Sequence, residues 1–183
     1  MEPTQLGFEQ SRTFLDAYGI PVLGRMVRTP EQAVVAAWDL GFPVAMKTVS
    51  SQIIHKTDLG CVLLGLADRP AVEQGFAQLM DNVRAAGVSE IDGILIQPMV
   101  KSGQEILIGA TQDPSFGPMT MIGSGGRFVE LFADVAPGIG ILDERDVLAM
   151  LDRTMAGKIL DGFRGPALDK DAVVRLAMSV SRF

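Results

Sequence analysis

Helix and strand signals alternate in the first half of this 183-residue chain, then strand signals cluster, and helical signals finish it. That order constrains the fold more than any single motif does. A succession of βαβ units would keep alternating to the end, so the pattern points to an α+β architecture rather than a doubly wound parallel sheet. A helix is expected over residues 9–18, where Gly19 stops it and Pro21 stands just beyond. Residues 22–27 read as a strand. Thr29-Pro30-Glu31-Gln32 opens the next helix: Thr29 caps, Pro30 fits the first turn, and Gln32 completes a capping box. That helix runs to Gly41. Strands are expected at 44–49 and 62–66, the second pairing with the first, and Asp68 caps a helix through residue 86. Residues 93–99 and 105–111 read as strands joined by a Lys101-Ser102-Gly103 hairpin turn, and 119–122 as a short strand. Helices at 143–155 and 169–182 close the chain.

The charge balance removes one class of partner. With 22 acidic and 16 basic residues the net charge is −6, and a nucleic-acid-binding surface needs a basic stripe. A nucleotide is compatible, because a few local charges and main-chain dipoles hold phosphates on an acidic protein. Cys61 is the single cysteine, which excludes an internal disulfide and suits a reducing compartment. Residues 1–4 carry neither a basic leader nor an apolar core, and no apolar run reaches the ~18 residues of a membrane span. A cytoplasmic protein with no membrane partner is expected. Neither Gly-x-Gly-x-x-Gly after a first strand nor a Walker Gly-Lys-Ser/Thr is present.

Several residues could carry phosphate chemistry. Lys47 interrupts the apolar run Val44-Ala45-Met46. A stem that crosses the sheet edge with its ammonium in water explains it. So does a cation held on a rigid strand to orient a phosphate. His55, the one histidine, stands in Ile53-Ile54-His55-Lys56-Thr57-Asp58-Leu59-Gly60. A lone histidine is usually structural or merely exposed. Here Asp58 could orient the imidazole as a nucleophile, and Gly60 permits a tight bend. Gly123-Ser124-Gly125-Gly126 follows a short strand, where successive N–H groups can face an anion, although plain loops look the same. Glu105 and Glu130 flank strands and read equally as solvated acids. Gln97-Pro98-Met99-Val100 ends a strand with a proline that interrupts pairing, as an adenine hinge or an ordinary edge would.

Taken in order, these segments resemble the ATP-grasp domain of the NDP-forming acyl-CoA synthetases, the acetate–CoA ligase (ADP-forming) family. Tyr18-Gly19-Ile20-Pro21, Gly41-Phe42-Pro43-Val44-Ala45-Met46-Lys47, His55-Lys56-Thr57-Asp58-Leu59-Gly60 and Gln97-Pro98-Met99-Val100 carry the first part. Glu105-Ile106-Leu107-Ile108-Gly109, Asp113-Pro114-Ser115-Phe116-Gly117-Pro118, Gly123-Ser124-Gly125-Gly126-Arg127-Phe128-Val129-Glu130 and Gly162-Phe163-Arg164-Gly165 continue it over nearly the whole chain. The resemblance implies two α+β subdomains with a nucleotide cleft between them, the second incomplete. It divides the chain into an N-terminal helix and linker (1–20), a first subdomain with the His55 loop (21–95) and a second subdomain (96–183).

By position, the resemblance implies that Lys47 contacts the ATP phosphates, that Gln97, Pro98, Met99 and Val100 cradle adenine, and that Glu105 lies near the ribose and phosphates. It makes His55 the phosphoryl relay, oriented by Asp58. Gly123, Ser124, Gly125, Gly126 and Glu130 then lie near the phosphohistidine or a CoA-binding module. ATP and Mg2+ are the implied cofactors; the implied partners are CoA-binding and ligase modules on the same or another chain, in an oligomer. The complete enzyme would turn a carboxylic acid, CoA and ATP into acyl-CoA, ADP and phosphate. Two positions within the chain depart from the family pattern. Cys61 replaces a second glycine, and Pro137-Gly138-Ile139-Gly140-Ile141 follows Asp134-Val135-Ala136 in place of an arginine and a proline. The family's metal-binding tail is expected beyond Phe183, so no metal ligands are assigned here and the chain alone is expected to be inactive or nearly so. A regulatory ATP-binding module of a protein acetyltransferase and an inactive fragment stand as alternatives.

Overall fold

The computed structural model describes residues 6–50, 52–53, 59–100, 103–126, 129 and 133–183. They form two compact units, one of residues 1–13 and 22–101, the other of residues 14–21 and 102–183. Helix α1 (Phe8–Ala17) contributes to both.

In the first unit β1 (Arg25–Val27), α2 (Pro30–Leu40), β2 (Val44–Val49), β3 (Val62–Leu66), α3 (Arg69–Ala85) and β4 (Gly93–Pro98) follow one another. The strands make one antiparallel sheet in the order β1-β4-β2-β3. Thr29 caps α2 through Gln32 N–H and Asp68 caps α3 through Ala71 N–H, as the sequence predicts. α2 buries Ala33, Ala36 and Ala37, and α3 buries Val72, Phe76, Leu79 and Val83, each set at helical spacing. Apart from Val83, which packs with Ile53 and Cys61, both stripes pack on one face of the sheet, against Val27, Val44, Met46, Ile94 and Ile96. Burying each of the larger side chains contributes about 1.5–3 kcal/mol, and each alanine methyl about 0.8 kcal/mol. The helices therefore cover one face of the sheet, and period-two alternation turns the other strand residues to the opposite face.

The second unit holds β5 (Ile106–Asp113), β6 (Gly117–Ser124), β7 (Val135–Ile139), α4 (Glu144–Leu151), α5 (Met155–Leu160) and α6 (Lys170–Val180). Its sheet is antiparallel in the order β5-β6-β7. Ile122, Ala136, Val147, Met150, Leu151, Leu160, Val174 and Ala177 form its core.

Three expectations change. β4 and β5 do not form a hairpin: β4 pairs with β1 and β2, whereas β5 pairs with β6, in separate sheets. The helix expected over 143–155 is two helices. α4 ends as Thr154 N–H turns back to the Leu151 carbonyl, and the Thr154 hydroxyl then caps α5 through Gly157 N–H. The Pro137 segment, read as an intervening stretch, is β7. It lies at the edge of its sheet, where proline is tolerated.

Candidate nucleotide-binding residues

β2 is an interior strand, so main-chain pairing fixes it on both sides: Lys47 is opposite Leu95 on β4 and Val62 on β3. Met46 and Thr48 are fully buried beneath the helices. Lys47 points to the other face, half-buried, together with Ala45. Among the described residues nothing forms an ion pair or hydrogen bond with its ammonium. A cation on a rigid strand without a protein counter-charge is a preorganised place for an anion.

Gln97 is opposite Ala45, which puts it on the same face as Lys47, one diagonal step along the sheet. Its amide nitrogen donates to the Leu23 carbonyl at 3.0 Å, so that half of the side chain holds residues 22–24 against β4, and Oε1 remains as an acceptor. Pro98 closes β4 opposite Val44. The Met99 N–H donates to the Pro43 carbonyl at 3.1 Å. What residues 97–100 present is therefore the exposed apolar side chains of Met99 and Val100.

In the second unit Glu105 immediately precedes β5. Its carbonyl accepts from Gly125 N–H at 2.8 Å, and its carboxylate lies beside Gly126. Sequence reasoning treated Glu105 and the glycine run separately; the structure brings them together. Gly123 and Ser124 are the end of β6, and Ser124 N–H donates to the Asp134 carbonyl. Two N–H groups expected to face an anion are thus satisfied within the protein. The glycines answer a different requirement. A Cβ on Gly123 would overlap the Asp134 carbonyl, one on Gly125 would stand 2.8 Å from the Glu105 carbonyl carbon, and Gly126 has φ +92°.

Asp134 was not singled out from the sequence as a site residue. Its carboxylate accepts from the Ser124 hydroxyl at 2.6 Å, from Met155 N–H at 2.8 Å and from Ala156 N–H at 3.2 Å. It ties the end of β6 to the start of α5. Partial burial opposes its ionisation, but the Ser124 hydroxyl and the main-chain donors outweigh burial and hold the carboxyl below its ordinary value. The signal was an acid just ahead of a strand, hidden because Pro137 and Gly138 disguise β7. His55, Asp58 and Glu130 lie outside the described residues. No three or more His, Cys, Asp or Glu side chains gather as a metal site among the described residues. No described helix is long and apolar enough to cross a membrane.

Two α+β units, each built on an antiparallel sheet with helices packed on it, are the architecture of an ATP-grasp protein. A family described as "ATP-grasp domain" matches residues 2–183, and the chain belongs to that family. It is 38% identical over 177 residues to the acetate–CoA ligase [ADP-forming] II subunit beta of Pyrococcus furiosus, a match covering 94% of this chain and 75% of that one. It is 38% identical over 172 residues to acetate–CoA ligase [ADP-forming] I of Archaeoglobus fulgidus, covering 92% of this chain but only 25% of that larger one. Among solved structures it is similar to the Ca. Korarchaeum cryptofilum dinucleotide forming acetyl-coenzyme A synthetase 1 in complex with coenzyme A, Ca-AMPCP and HgCl+. That likeness has TM-score 0.88 and 38% identity, covering 97% of this chain and 79% of that one. The same synthetase with coenzyme A and Mg-AMPPCP, its phosphohistidine segment pointing towards the nucleotide binding site, gives TM-score 0.82 at 35% identity, covering 97% and 76%.

Proposed function

We propose that this chain is the nucleotide-binding part of an acid–CoA ligase (ADP-forming), working with CoA-binding and ligase modules on the same or another polypeptide. The observation that carries the reading is its likeness, along 97% of its length, to a synthetase whose solved structure holds a nucleotide analogue and a phosphohistidine segment. The relatives found are ligases, which favours this reading over a regulatory module of an acetyltransferase.

In this reading Lys47 meets the nucleotide phosphates, and Gln97, Pro98, Met99 and Val100 border the base. Glu105 approaches the ribose and phosphates from its seat on Gly125 and Gly126. His55 attacks the terminal phosphorus; the N–P bond forms as the P–O bond breaks, ADP leaves with the electron pair, and Asp58 orients the ring. Glu130 and the glycine run stand near that segment or the CoA module. ATP suits the residues present, because Lys47 supplies a cation with no protein counter-charge among the described residues. Mg2+ would enter on the phosphates and neutralise their charge, with its protein ligands supplied by the segment expected beyond Phe183.

The test is to incubate the chain with γ-phosphate-labelled ATP and Mg2+, with and without the CoA-binding module of a relative. Acid-labile label that His55→Asn removes is the expected result. ATP binding without any label on His55, with the modules present, would overturn the relay.

A further inference from the structure

We infer that the second unit carries a binding site for a small organic monocarboxylate, in a cavity between β5, β6 and the end of α6. The site does not rest on the nucleotide reading, and every residue that builds it belongs to one unit. Its volume is about 480 Å3, within the ~300–1,000 Å3 range of small-molecule pockets. Ala110 and Gln112 on β5, Thr120 on β6, Ile141 and residues 180–183 are among those lining it.

Strand register explains why space opens there. Ile122 belongs to the core beneath the helices, and alternation puts Thr120 on the same face of β6. Opposite Thr120 on β5 is Ala110, whose methyl group leaves room that a larger side chain would fill. Ser181, another lining residue, accepts from Leu142 N–H at 3.0 Å and donates to the Met178 carbonyl at 2.8 Å. It fixes the end of α6 to the segment after β7. The cavity wall is thus held by the protein's own hydrogen bonds.

Three lining side chains are left without partners. Thr120 is 1% exposed, yet among the described residues its hydroxyl makes no hydrogen bond. Burying a hydroxyl unpartnered is costly, so one bordering a cavity points to a hydrogen-bonding group inside it. The Gln112 amide and the Arg182 guanidinium also have no partner among the described residues. Arg182 is the one charged side chain among the described residues lining the cavity. Acids next to the lining segments are engaged elsewhere: the Asp113 carboxylate accepts from Ser115 and Phe116 N–H, and that of Asp143 caps α4 through Asp146 N–H. An unopposed cation with two further donors selects an anion. The apolar walls of Ala110, Ile141, Val180 and Phe183 select one with a hydrocarbon body, which inorganic phosphate lacks.

The test is hexanoate titrated into the full, isotope-labelled chain and followed by amide NMR. Saturable shifts at Ala110, Thr120, Ile141 and Arg182 are expected. Hexanol, inorganic phosphate, and the variants Arg182→Gln and Thr120→Val with hexanoate should each bind about tenfold or more weakly, the equivalent of one lost charge-assisted hydrogen bond. Thr120→Val should leave the urea midpoint unchanged or raised, which separates a lost ligand contact from a damaged fold. Ala110→Leu should abolish binding by filling the space. Equal binding of hexanol and hexanoate, shifts centred elsewhere, or none at tens of millimolar would overturn the proposal. A chain extended past Phe183 with the tail of a relative should bind hexanoate equally; a tail that displaces the acid would occupy the cavity itself and overturn the proposal too.

Discussion

Replacing Asp134 with alanine should destabilise the second unit, because one carboxylate there satisfies three donors. The Ser124 hydroxyl, Met155 N–H and Ala156 N–H all donate to it, and two of them are first-turn groups of α5 that no intrahelical carbonyl can serve. A hydrogen bond to a charged group contributes about 1.5–3 kcal/mol when buried. Asp134 is only partly buried, so water recovers much of this, and a net loss of about 2 kcal/mol is expected, near the upper end for a helix cap. That corresponds to a fall in melting temperature of roughly 8–16 °C for a unit of this size. Asp134→Asn keeps an acceptor but not the charge and should lose about half as much, by the same reasoning. The pH dependence has a definite sign. The folded-state carboxyl is held below its ordinary value, so its contribution is complete above the unfolded value of 3.8 and is lost as pH falls through the lower folded value. Urea denaturation of wild type and Asp134→Asn should therefore show a gap at pH 7 that narrows below about pH 4. A difference under about 0.5 kcal/mol for Asp134→Ala, typical of a surface change, would refute the reasoning. So would a gap that stays constant into acid.

Lys47→Met should weaken ATP binding by roughly 30–100-fold, the loss of one charge-assisted phosphate contact, while leaving the urea midpoint unchanged, because no described residue pairs with the ammonium. Calorimetric titration with ATP checks the first part and urea unfolding the second. Gly123→Ala should destabilise by about 3 kcal/mol or more, since the new methyl group overlaps the Asp134 carbonyl and main-chain atoms cannot yield cheaply. Circular dichroism melts would read it. Thr48→Val should be neutral or stabilising by about 0.5–1 kcal/mol, because Thr48 Oγ1 is buried with no hydrogen-bond partner among the described residues and valine has the same shape.

Much of the fold is legible along the chain where local chemistry and tertiary packing agree. Thr29 with Gln32 and Asp68 marked the starts of α2 and α3, and each helix begins there. The bounds 44–49 and 62–66 match β2 and β3 because apolar β-formers run between turn residues. The first strand, expected from residue 22, begins at Arg25, since residues 22–24 are held across β4 by the Gln97 amide instead of pairing in a ladder. β7 escaped because proline and glycine weaken a strand signal, and only knowledge that the strand is an edge makes them acceptable. The hairpin joining β4 to β5 failed for a related reason: adjacency along the chain makes pairing common without requiring it, and these strands have better partners within their own units.

The candidate site divides along the same line. Lys47 stood out because a charge in an apolar strand is a local anomaly, and the alternation that turns Met46 and Thr48 inward necessarily turns Lys47 outward. The glycine run stood out too, but its cause is not local. Four small residues in a row say that something comes close, and only the folded second unit says what: the Asp134 carbonyl against Gly123, and Glu105 against Gly125 and Gly126. Close approach by protein atoms and close approach by a phosphate leave the same mark on a sequence. Here the protein takes the N–H groups of Ser124 and Gly125 for itself. A side chain at Gly126 would meet the Glu105 carboxylate, so a substitution there should be read first in the position of Glu105.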